Sequence, residues 1–203
     1  MPRLSVGRRD LRLFCLFCGV LFAAFLSALL TGCHLFKADP RVAFFGDSLI
    51  EDWPYPSANL GKFGSTTGDL LARSHVVIEG HKYTKVVILG GANDVLKNID
   101  AKTSVKNIEA IATAVQQSGE EPVLCEIPPV FHDYVETDKQ DYSEPVKVLN
   151  EQIAQLAARH GWKLVDLYHP MLGHPEYSVD GVHMKRRGYF VMEMALLRVL
   201  PDA

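Results

Sequence analysis

The sequence is poor in cysteine, and two of its four cysteines, Cys15 and Cys18, lie inside one apolar run near the N-terminus. Both would be lost if that run is removed during export, which leaves Cys33 and Cys125. Cys125 lies in an apolar stretch, so we expect it to be a small buried side chain rather than a reactive thiol. We therefore expect no disulfide framework.

The sequence also lacks internal repeats, low-complexity tracts and an excess of positive charge. It has 21 Lys and Arg against 24 Asp and Glu, and the formal net charge is −3. Residues 1–32 hold four arginines and one aspartate, so the remainder is more acidic than the whole. This composition gives no reason to expect a nucleic-acid partner. With 203 residues, 48% of them hydrophobic, the chain can bury one full core, and we expect one folded domain.

The N-terminus has the organisation of an export signal: a basic start is followed by an uncharged apolar run over residues 13–30 and then by Leu30-Thr31-Gly32-Cys33. These four residues resemble the lipobox of bacterial lipoproteins, in which the cysteine is lipidated. The resemblance implies a signal peptide at 1–32, a lipidated Cys33 in a short tether over 33–40, and a domain over 41–203. The alternative is a transmembrane anchor, because 18 residues can just span a bilayer. Either way, we expect the domain in the bacterial cell envelope, attached to a membrane and facing the periplasm or the cell exterior.

Beyond the tether, apolar runs typical of strands alternate with helical patterns, which predicts an α/β fold around a parallel sheet. The strand candidates are residues 41–45, 85–89, 122–126 and 163–167. One helix is predicted after Ser104 and ends near Gly119, and another is predicted from Ser143 to just before Gly161. A third is predicted from about Lys185 to Leu200. Right-handed crossovers would place these helices on both faces of the sheet.

The first strand leads into Gly46-Asp47-Ser48-Leu49, which places a serine hydroxyl at the carboxyl end of a parallel strand, where open α/β sheets bind ligands. Taken alone, Ser48 could simply cap the following helix. A serine nucleophile needs a base and a third group that holds the base in the right tautomer. Asp180-Gly181-Val182-His183 can supply both, because the carboxylate can curl back to Nδ1 of His183 and leave Nε2 facing a hydroxyl.

Two glycine-containing segments complete the pattern. Gly90-Gly91-Ala92-Asn93-Asp94 follows the strand at 85–89, so the Asn93 amide can emerge at the same sheet edge and donate to a developing oxyanion. Asn93 could instead only shape a turn. Gly64 lies in a loop at 59–67 and could bring a backbone N–H close to substrate, although a glycine loop alone means little.

Taken together, the four blocks resemble the SGNH, or GDSL-type, hydrolase family, over essentially the whole chain from Val42 to the last helix. The matching residues are Gly46-Asp47-Ser48-Leu49, Gly64, Gly91-Ala92-Asn93-Asp94, and Asp180 with His183. The resemblance implies a flavodoxin-like three-layer α/β/α sandwich and no metal or organic cofactor. It also implies that Ser48, Asp180 and His183 form a catalytic triad, with an oxyanion hole made by the N–H groups of Ser48 and Gly64 and the side chain of Asn93.

The sequence departs from the family in one respect. Only ten residues separate Ser48 from Asn59, and two of them are prolines, so we expect an unusually short first helix and second strand. The departure leaves open how substrate passes Trp53 and Tyr55.

The function that the sequence favours is hydrolysis of carboxylic esters, acyl or O-acetyl, with lysophospholipids and thioesters as alternative substrates. An alternative of another class is a catalytically idle envelope protein that binds glycan or a partner through the same cleft. His169 and His174 lie near His183 in the sequence and could suggest a metal site with Asp180. We disfavour that site, because a histidine acting as general base is not free to bind a metal. The sequence gives no indication of oligomeric state.

Overall fold

The computed structural model describes residues 38–80, 82–131 and 140–202. Its centre is a sheet of five parallel strands in the order β2-β1-β3-β4-β5. The strands are β1 (Val42–Gly46), β2 (Ala58–Gly61), β3 (Lys85–Leu89), β4 (Glu121–Cys125) and β5 (Lys163–Val165). Because every pair is parallel, all five carboxyl ends lie at one edge of the sheet.

The described residues also form seven α-helices and two 3₁₀ turns, of which both turns and the last helix follow β5. They are α1 (Ser48–Glu51), α2 (Thr67–Ala72), α3 (His75–Ile78), α4 (Ala92–Leu96), α5 (Ala101–Gln117), α6 (Ser143–His160) and α7 (Arg186–Val199), with 3₁₀ turns at His169–Met171 and Pro175–Tyr177. The long helices bury apolar residues at helical spacing, as in α6 with Val146, Leu149, Ile153 and Leu156. The predicted α/β fold around a parallel sheet is confirmed.

Several predicted boundaries shift in the structure, with β1 at 42–46 rather than 41–45 and β4 at 121–125 rather than 122–126. Helix α5 begins at Ala101, and Ser104 lies inside it because its hydroxyl donates to Asp94 Oδ1 at 2.8 Å. Ser143 is the first residue of α6 rather than its cap. Strand β5 ends at Val165 instead of residue 167, since the Asp166 carboxylate accepts the N–H groups of the next turn.

The first helix and the second strand are as short as predicted: α1 and β2 each contain four residues. Trp53 and Tyr55 lie in the segment between α1 and β2 and are 2% and 3% exposed. Both rings pack edge-on against Phe44 of β1, with ring centroids 5.5 and 6.2 Å away. Trp53 also stacks on Tyr189 of α7 at 6.4 Å. These aromatic residues therefore belong to the core and do not border a substrate path.

The described chain begins with residues already held by the domain. Ala38 is 2% exposed, its N–H donates to the Tyr55 carbonyl at 3.0 Å, and its own carbonyl accepts the Ser57 hydroxyl. The predicted signal peptide and Cys33 lie outside the described residues. Within the described ranges, none of the helices has the length and apolar character needed to cross a membrane.

Cys125 is buried at the end of β4, 2% exposed, and it forms no disulfide within the described ranges. Burial raises the pKa of its thiol, so the side chain stays neutral. The predicted role as a small apolar core residue is confirmed.

Candidate active site

Ser48 lies at the carboxyl end of β1, as the first residue of α1, and is 4% exposed. The strand can reach this point only because residue 46 is glycine: a Cβ there would lie 2.2 Å from the Leu89 carbonyl oxygen of β3. Asp47 caps α1, because its Oδ1 accepts the Leu49 N–H at 3.0 Å. The alternative in which Ser48 caps the helix is therefore wrong, and its hydroxyl is free for another partner.

That partner is His183. The Ser48 Oγ atom lies 3.0 Å from His183 Nε2, and His183 Nδ1 lies 2.7 Å from Asp180 Oδ2. The other Asp180 oxygen accepts the backbone N–H groups of Val182 and His183 at 3.0 and 2.8 Å. The turn can close this tightly because Gly181 has a φ of +94°. The structure thus places the three predicted residues in one hydrogen-bonded chain.

Burial acts to raise the pKa of Asp180, but the hydrogen bonds from the His183 ring and from two backbone N–H groups outweigh it and the pKa is lowered. Asp180 is therefore an anion near neutral pH. An ionised carboxylate on Nδ1 keeps the proton on that nitrogen and leaves Nε2 as the acceptor for a hydroxyl proton.

The loop that carries His183 is anchored by Ser178, which is 0% exposed. The Ser178 hydroxyl donates to the His183 carbonyl at 2.8 Å and accepts the Gly181 N–H at 2.8 Å. The Val179 N–H donates to the same carbonyl at 2.8 Å. The imidazole is thus held from its backbone as well as through Asp180.

Asn93 is bonded to the residue that follows Gly64, since Asn93 Nδ2 donates to the carbonyl of Ser65 at 3.0 Å. Gly64 has a φ of +71°, which favours glycine, and Lys97 Nζ donates to its carbonyl at 3.3 Å. In the described part of the chain, the N–H groups of Ser48 and Gly64 donate to no acceptor. Two backbone donors and the second proton of the Asn93 amide are thus unused.

A buried network fixes the loop that contains Gly64. Asp94 is 1% exposed and accepts the Thr67 N–H at 2.8 Å, the Thr67 hydroxyl at 2.5 Å and the Ser104 hydroxyl at 2.8 Å. Asn107 donates to the Thr67 hydroxyl at 3.0 Å. Asp94 thereby holds the N-terminus of α2 against α4 and α5. The sequence marks Asp94 as part of the block around Asn93, but nothing in it indicates Thr67 or Ser104.

Asp47 is a second buried acid beside the serine, 0% exposed, and its Oδ2 atom has no hydrogen-bond partner among the described residues. Burial raises the pKa of Asp47 to about 7 against the opposing effect of its bond to the Leu49 N–H. The carboxylate of Asp94 adds to the rise, and His183 opposes it. The charge next to Ser48 therefore depends on pH near neutrality.

Phe63 borders the site and was not predicted. Its ring lies nearly parallel to the His183 ring, with 5.7 Å between centroids and 10° between planes. Its side chain is 69% exposed. The sequence indicates a role for Phe63 only in that this residue is apolar and lies in an otherwise polar, glycine-containing loop.

A second group of titratable residues lies after β4 and β5. Glu126, Asp166 and His169 each offer one potential metal ligand within 4.8 Å of the others. Two of them bond directly, with His169 Nδ1 3.1 Å from Asp166 Oδ2. Burial and the neighbouring Asp166 raise the pKa of Glu126 to about 7. We interpret the group as a hydrogen-bonded carboxyl pair flanked by a histidine.

The two histidines considered for a metal site with Asp180 have other partners. His169 bonds Asp166, and His174 Nδ1 lies 2.9 Å from Glu176 Oε1 while its ring stacks on Tyr177 at 4.8 Å. Neither histidine forms a hydrogen bond with Asp180 in the described part of the chain.

Comparison with known proteins shows the family and the fold. The sequence model of the GDSL-like Lipase/Acylhydrolase family matches residues 29–190, whereas no curated protein sequence matches the chain. Among solved structures, a GDSL-like lipase from Bacteroides thetaiotaomicron has 23% identity and a TM-score of 0.71 over 89% of this chain and 98% of its own.

Two further structures share the fold. A member of the lipolytic protein G-D-S-L family from Veillonella parvula has 18% identity and a TM-score of 0.67, with 80% of this chain and 98% of that one covered. A catalytic mutant of an acetylxylan esterase from Geobacillus stearothermophilus has 15% identity and a TM-score of 0.68, with 82% and 96% covered. The predicted three-layer fold is confirmed, and the chain belongs to the GDSL-like lipase/acylhydrolase family.

Proposed function

We propose that the protein is a serine esterase that hydrolyses carboxylic esters through an acyl-enzyme on Ser48. The observation that carries the proposal is the continuous hydrogen-bonded chain from Asp180 through His183 to Ser48, with distances of 2.7 and 3.0 Å. A binding protein has no need of a nucleophile, an oriented base and unused N–H donors in one cleft.

In the proposed cycle, His183 Nε2 takes the Ser48 hydroxyl proton as Oγ attacks the ester carbonyl carbon. The tetrahedral intermediate collapses, and the same proton passes to the leaving alcohol. Water then gives its proton to His183 and attacks the acyl-enzyme, and Ser48 regains a proton as the carboxylic acid leaves. Asp180 stays ionised throughout and stabilises the imidazolium.

The negative charge on the carbonyl oxygen requires donors that are already in place. We assign this role to the N–H groups of Ser48 and Gly64, which donate to no described acceptor, and to the second amide proton of Asn93. The bond from Asn93 to the Ser65 carbonyl positions the amide, and the Asp94 network holds the loop. Neither the amide nor the backbone needs to reorganise as the charge develops.

For the substrate, we propose acyl or O-acetyl esters with a short acyl group. We base this on the sequence, in which no long apolar lid follows the signal region. The structural neighbour that is an acetylxylan esterase supports an O-acetyl substrate through its fold. Lysophospholipids and thioesters are the alternative substrates, and a chain-length series separates short from long acyl groups.

We further propose that the protein is an envelope lipoprotein anchored through Cys33. Because Ala38 is held by Tyr55 and Ser57, the five residues 33–37 would separate the lipid from the domain, and five residues span at most about 18 Å. The catalytic domain would then act close to the membrane surface. Labelling with radioactive palmitate in a bacterial host tests this: the parent chain should incorporate label and Cys33→Ser should not, whereas equal labelling rejects the anchor.

The esterase proposal is tested by hydrolysis of p-nitrophenyl esters from acetate to palmitate, with a fluorophosphonate probe as a second readout. The parent should be active and labelled, and Ser48→Ala should be neither. Ser143→Ala, which changes an exposed serine at the start of α6, is the matched control and should behave as the parent. If the parent is inert on every ester and is not labelled, the idle binding protein replaces the esterase.

A further inference from the structure

A cavity of about 430 Å³ opens beside the loop that follows β2. Its lining includes Lys62, Phe63, Gly64, Asp69 and Arg73. The cavity therefore has two cationic side chains and one carboxylate around a volume that can take a small polar group.

Arg73 is unusual because part of its guanidinium is buried without a hydrogen-bond partner. Its Nη1 atom is buried and finds no acceptor in the described part of the chain, while Cζ lies 5.1 Å from the ring centroid of Phe45, a core residue that is 0% exposed. The ring attracts the cation but offers no hydrogen-bond acceptor. A charged donor that is desolvated and unpaired is unfavourable. Nη1 itself is closed to solvent, so a ligand in the cavity would bond the part of the Arg73 side chain that lines it.

The carboxylate in the lining offsets one of the two positive charges, because hydrogen bonds from Thr66 lower the pKa of Asp69 and keep it ionised. Asp69 Oδ2 accepts the N–H and the hydroxyl of Thr66 at 2.9 and 2.7 Å, so this oxygen is engaged in capping α2. In the described residues Asp69 forms no ion pair with Lys62 or Arg73. The lining keeps one net positive charge and two sets of N–H donors.

The cavity adjoins the proposed catalytic centre through two residues. Gly64, whose N–H we assign to the oxyanion hole, is part of its lining. Phe63 also lines it, and the same ring stacks on His183. A molecule with its ester carbonyl at Ser48 can therefore reach the cavity with another of its groups.

We propose that this cavity is a subsite for an anionic group of the substrate, a carboxylate, phosphate or sulfate, held by Arg73 and Lys62. The inference rests on the proposed esterase function and narrows its substrate to esters that carry a negative charge a few bonds from the carbonyl. Arg73 supplies in-plane N–H donors that match the oxygens of such anions, and Lys62 adds a second charge.

The test compares charged and neutral esters of matched shape. For a charge on the acyl side, mono-p-nitrophenyl adipate is compared with p-nitrophenyl hexanoate. For a charge on the alcohol side, 4-acetoxybenzoate is compared with its methyl ester. In the full-length parent, kcat/KM should favour the charged member of at least one pair, and the pair that shows the preference identifies the side that carries the charge.

The variants are judged by the charged-to-neutral ratio of kcat/KM. Arg73→Gln should lower this ratio by about tenfold or more, as expected for loss of a charge-assisted hydrogen bond. Lys62→Gln changes an exposed side chain that does not contact Phe45, and it should lower the charged-to-neutral ratio about threefold. This variant replaces Arg73→Gln as the test if Arg73→Gln fails to fold. Lys163→Gln removes the same charge at the opposite edge of the sheet and should leave the ratio unchanged.

The outcomes separate the two proposals. If the parent hydrolyses neutral esters through Ser48 but shows no charge preference, or if all three variants keep the parent ratio, the subsite is rejected and the esterase stands. If no ester is hydrolysed, inorganic phosphate titrated by calorimetry decides the subsite directly. Binding that Arg73→Gln or Lys62→Gln weakens supports it, and equal binding or no binding overturns it.

Discussion

The ring of Phe63 lies parallel to the imidazole of His183, with centroids 5.7 Å apart and 10° between their planes. Because Phe63 is 69% exposed, few core contacts hold it there. A ring in this position restricts rotation of the imidazole and attracts it most strongly when it is protonated. Phe63 thus contacts the face of the His183 ring, whereas Asp180 bonds its Nδ1 atom, and the two residues together can hold the imidazole in place.

We expect Phe63→Leu to lower kcat/KM for p-nitrophenyl acetate about two- to fivefold, the amount that an exposed cation–π contact of about 0.5–1 kcal/mol represents. Phe63→Tyr keeps the aromatic face and should retain nearly the parent value. Thermal unfolding should be almost unchanged in both, since the side chain is exposed. Equal activity of the leucine variant and the parent would show that the stacked ring has no part in turnover.

Replacement of Asn93 by alanine should lower kcat by about 10²–10³. The amide is aimed at charge that develops only in the transition state, so KM should change much less than kcat. The measurement is steady-state kinetics, together with fluorophosphonate labelling to count intact sites. A rise in KM with an unchanged kcat would mean that Asn93 only binds substrate.

Asp180→Asn should lower kcat by about 10³–10⁴. Asparagine can still accept the backbone N–H groups of Val182 and His183, which Asp180 accepts at 3.0 and 2.8 Å. It loses the charge that stabilises the imidazolium and can place an amide hydrogen against Nδ1, which favours the wrong tautomer. The thermal midpoint should stay near that of the parent. A variant that is both active and stable would remove Asp180 from the triad.

Asp94→Ala should destabilise the fold by about 2–4 kcal/mol, because it leaves the buried donors of Thr67 and Ser104 without an acceptor. Asp100→Ala is the matched control, since Asp100 precedes α5 without a side-chain cap bond. Urea unfolding followed by circular dichroism measures both. Similar losses in the two variants would show that the buried network around Asp94 adds no stability.

The raised pKa of Glu126 predicts a specific dependence of stability on pH. The folded chain keeps this proton up to about pH 7, whereas the unfolded chain releases it near the ordinary value of 4.5. Between those values the folded state binds more protons, so the contribution of Glu126 to the free energy of unfolding falls as pH rises. The loss is complete only above about pH 7.

Glu126→Gln keeps a donor toward Asp166 but cannot ionise. Its thermal midpoint should match that of the parent near about pH 5 and exceed it near about pH 8. Cys125→Ser, a change of a neighbouring buried residue that leaves Glu126 in place, should retain the pH dependence of the parent. A constant difference between the glutamine variant and the parent at both pH values would contradict the assignment.

The residues that we propose as catalytic could be picked out from the sequence because their geometry is largely local. Asp180 and His183 are three positions apart and bond within one turn. Ser48 and Asn93 each follow an apolar strand, and parallel strands bring their carboxyl ends to one edge whatever the details of packing. The short first crossover could also be read from its length and its two prolines.

The sequence by itself determined which residues can act as nucleophile, base, orienting acid and oxyanion donors, since these roles depend on side-chain chemistry and on position relative to strand ends. Only the tertiary structure decided how far each group is from water and from its partners. It joined Ser48 to His183 across 135 positions, stacked Phe63 on the base and buried a guanidinium nitrogen of Arg73 without an acceptor. Burial and pairing are sums over contacts between distant segments, and no local pattern of residues encodes such sums.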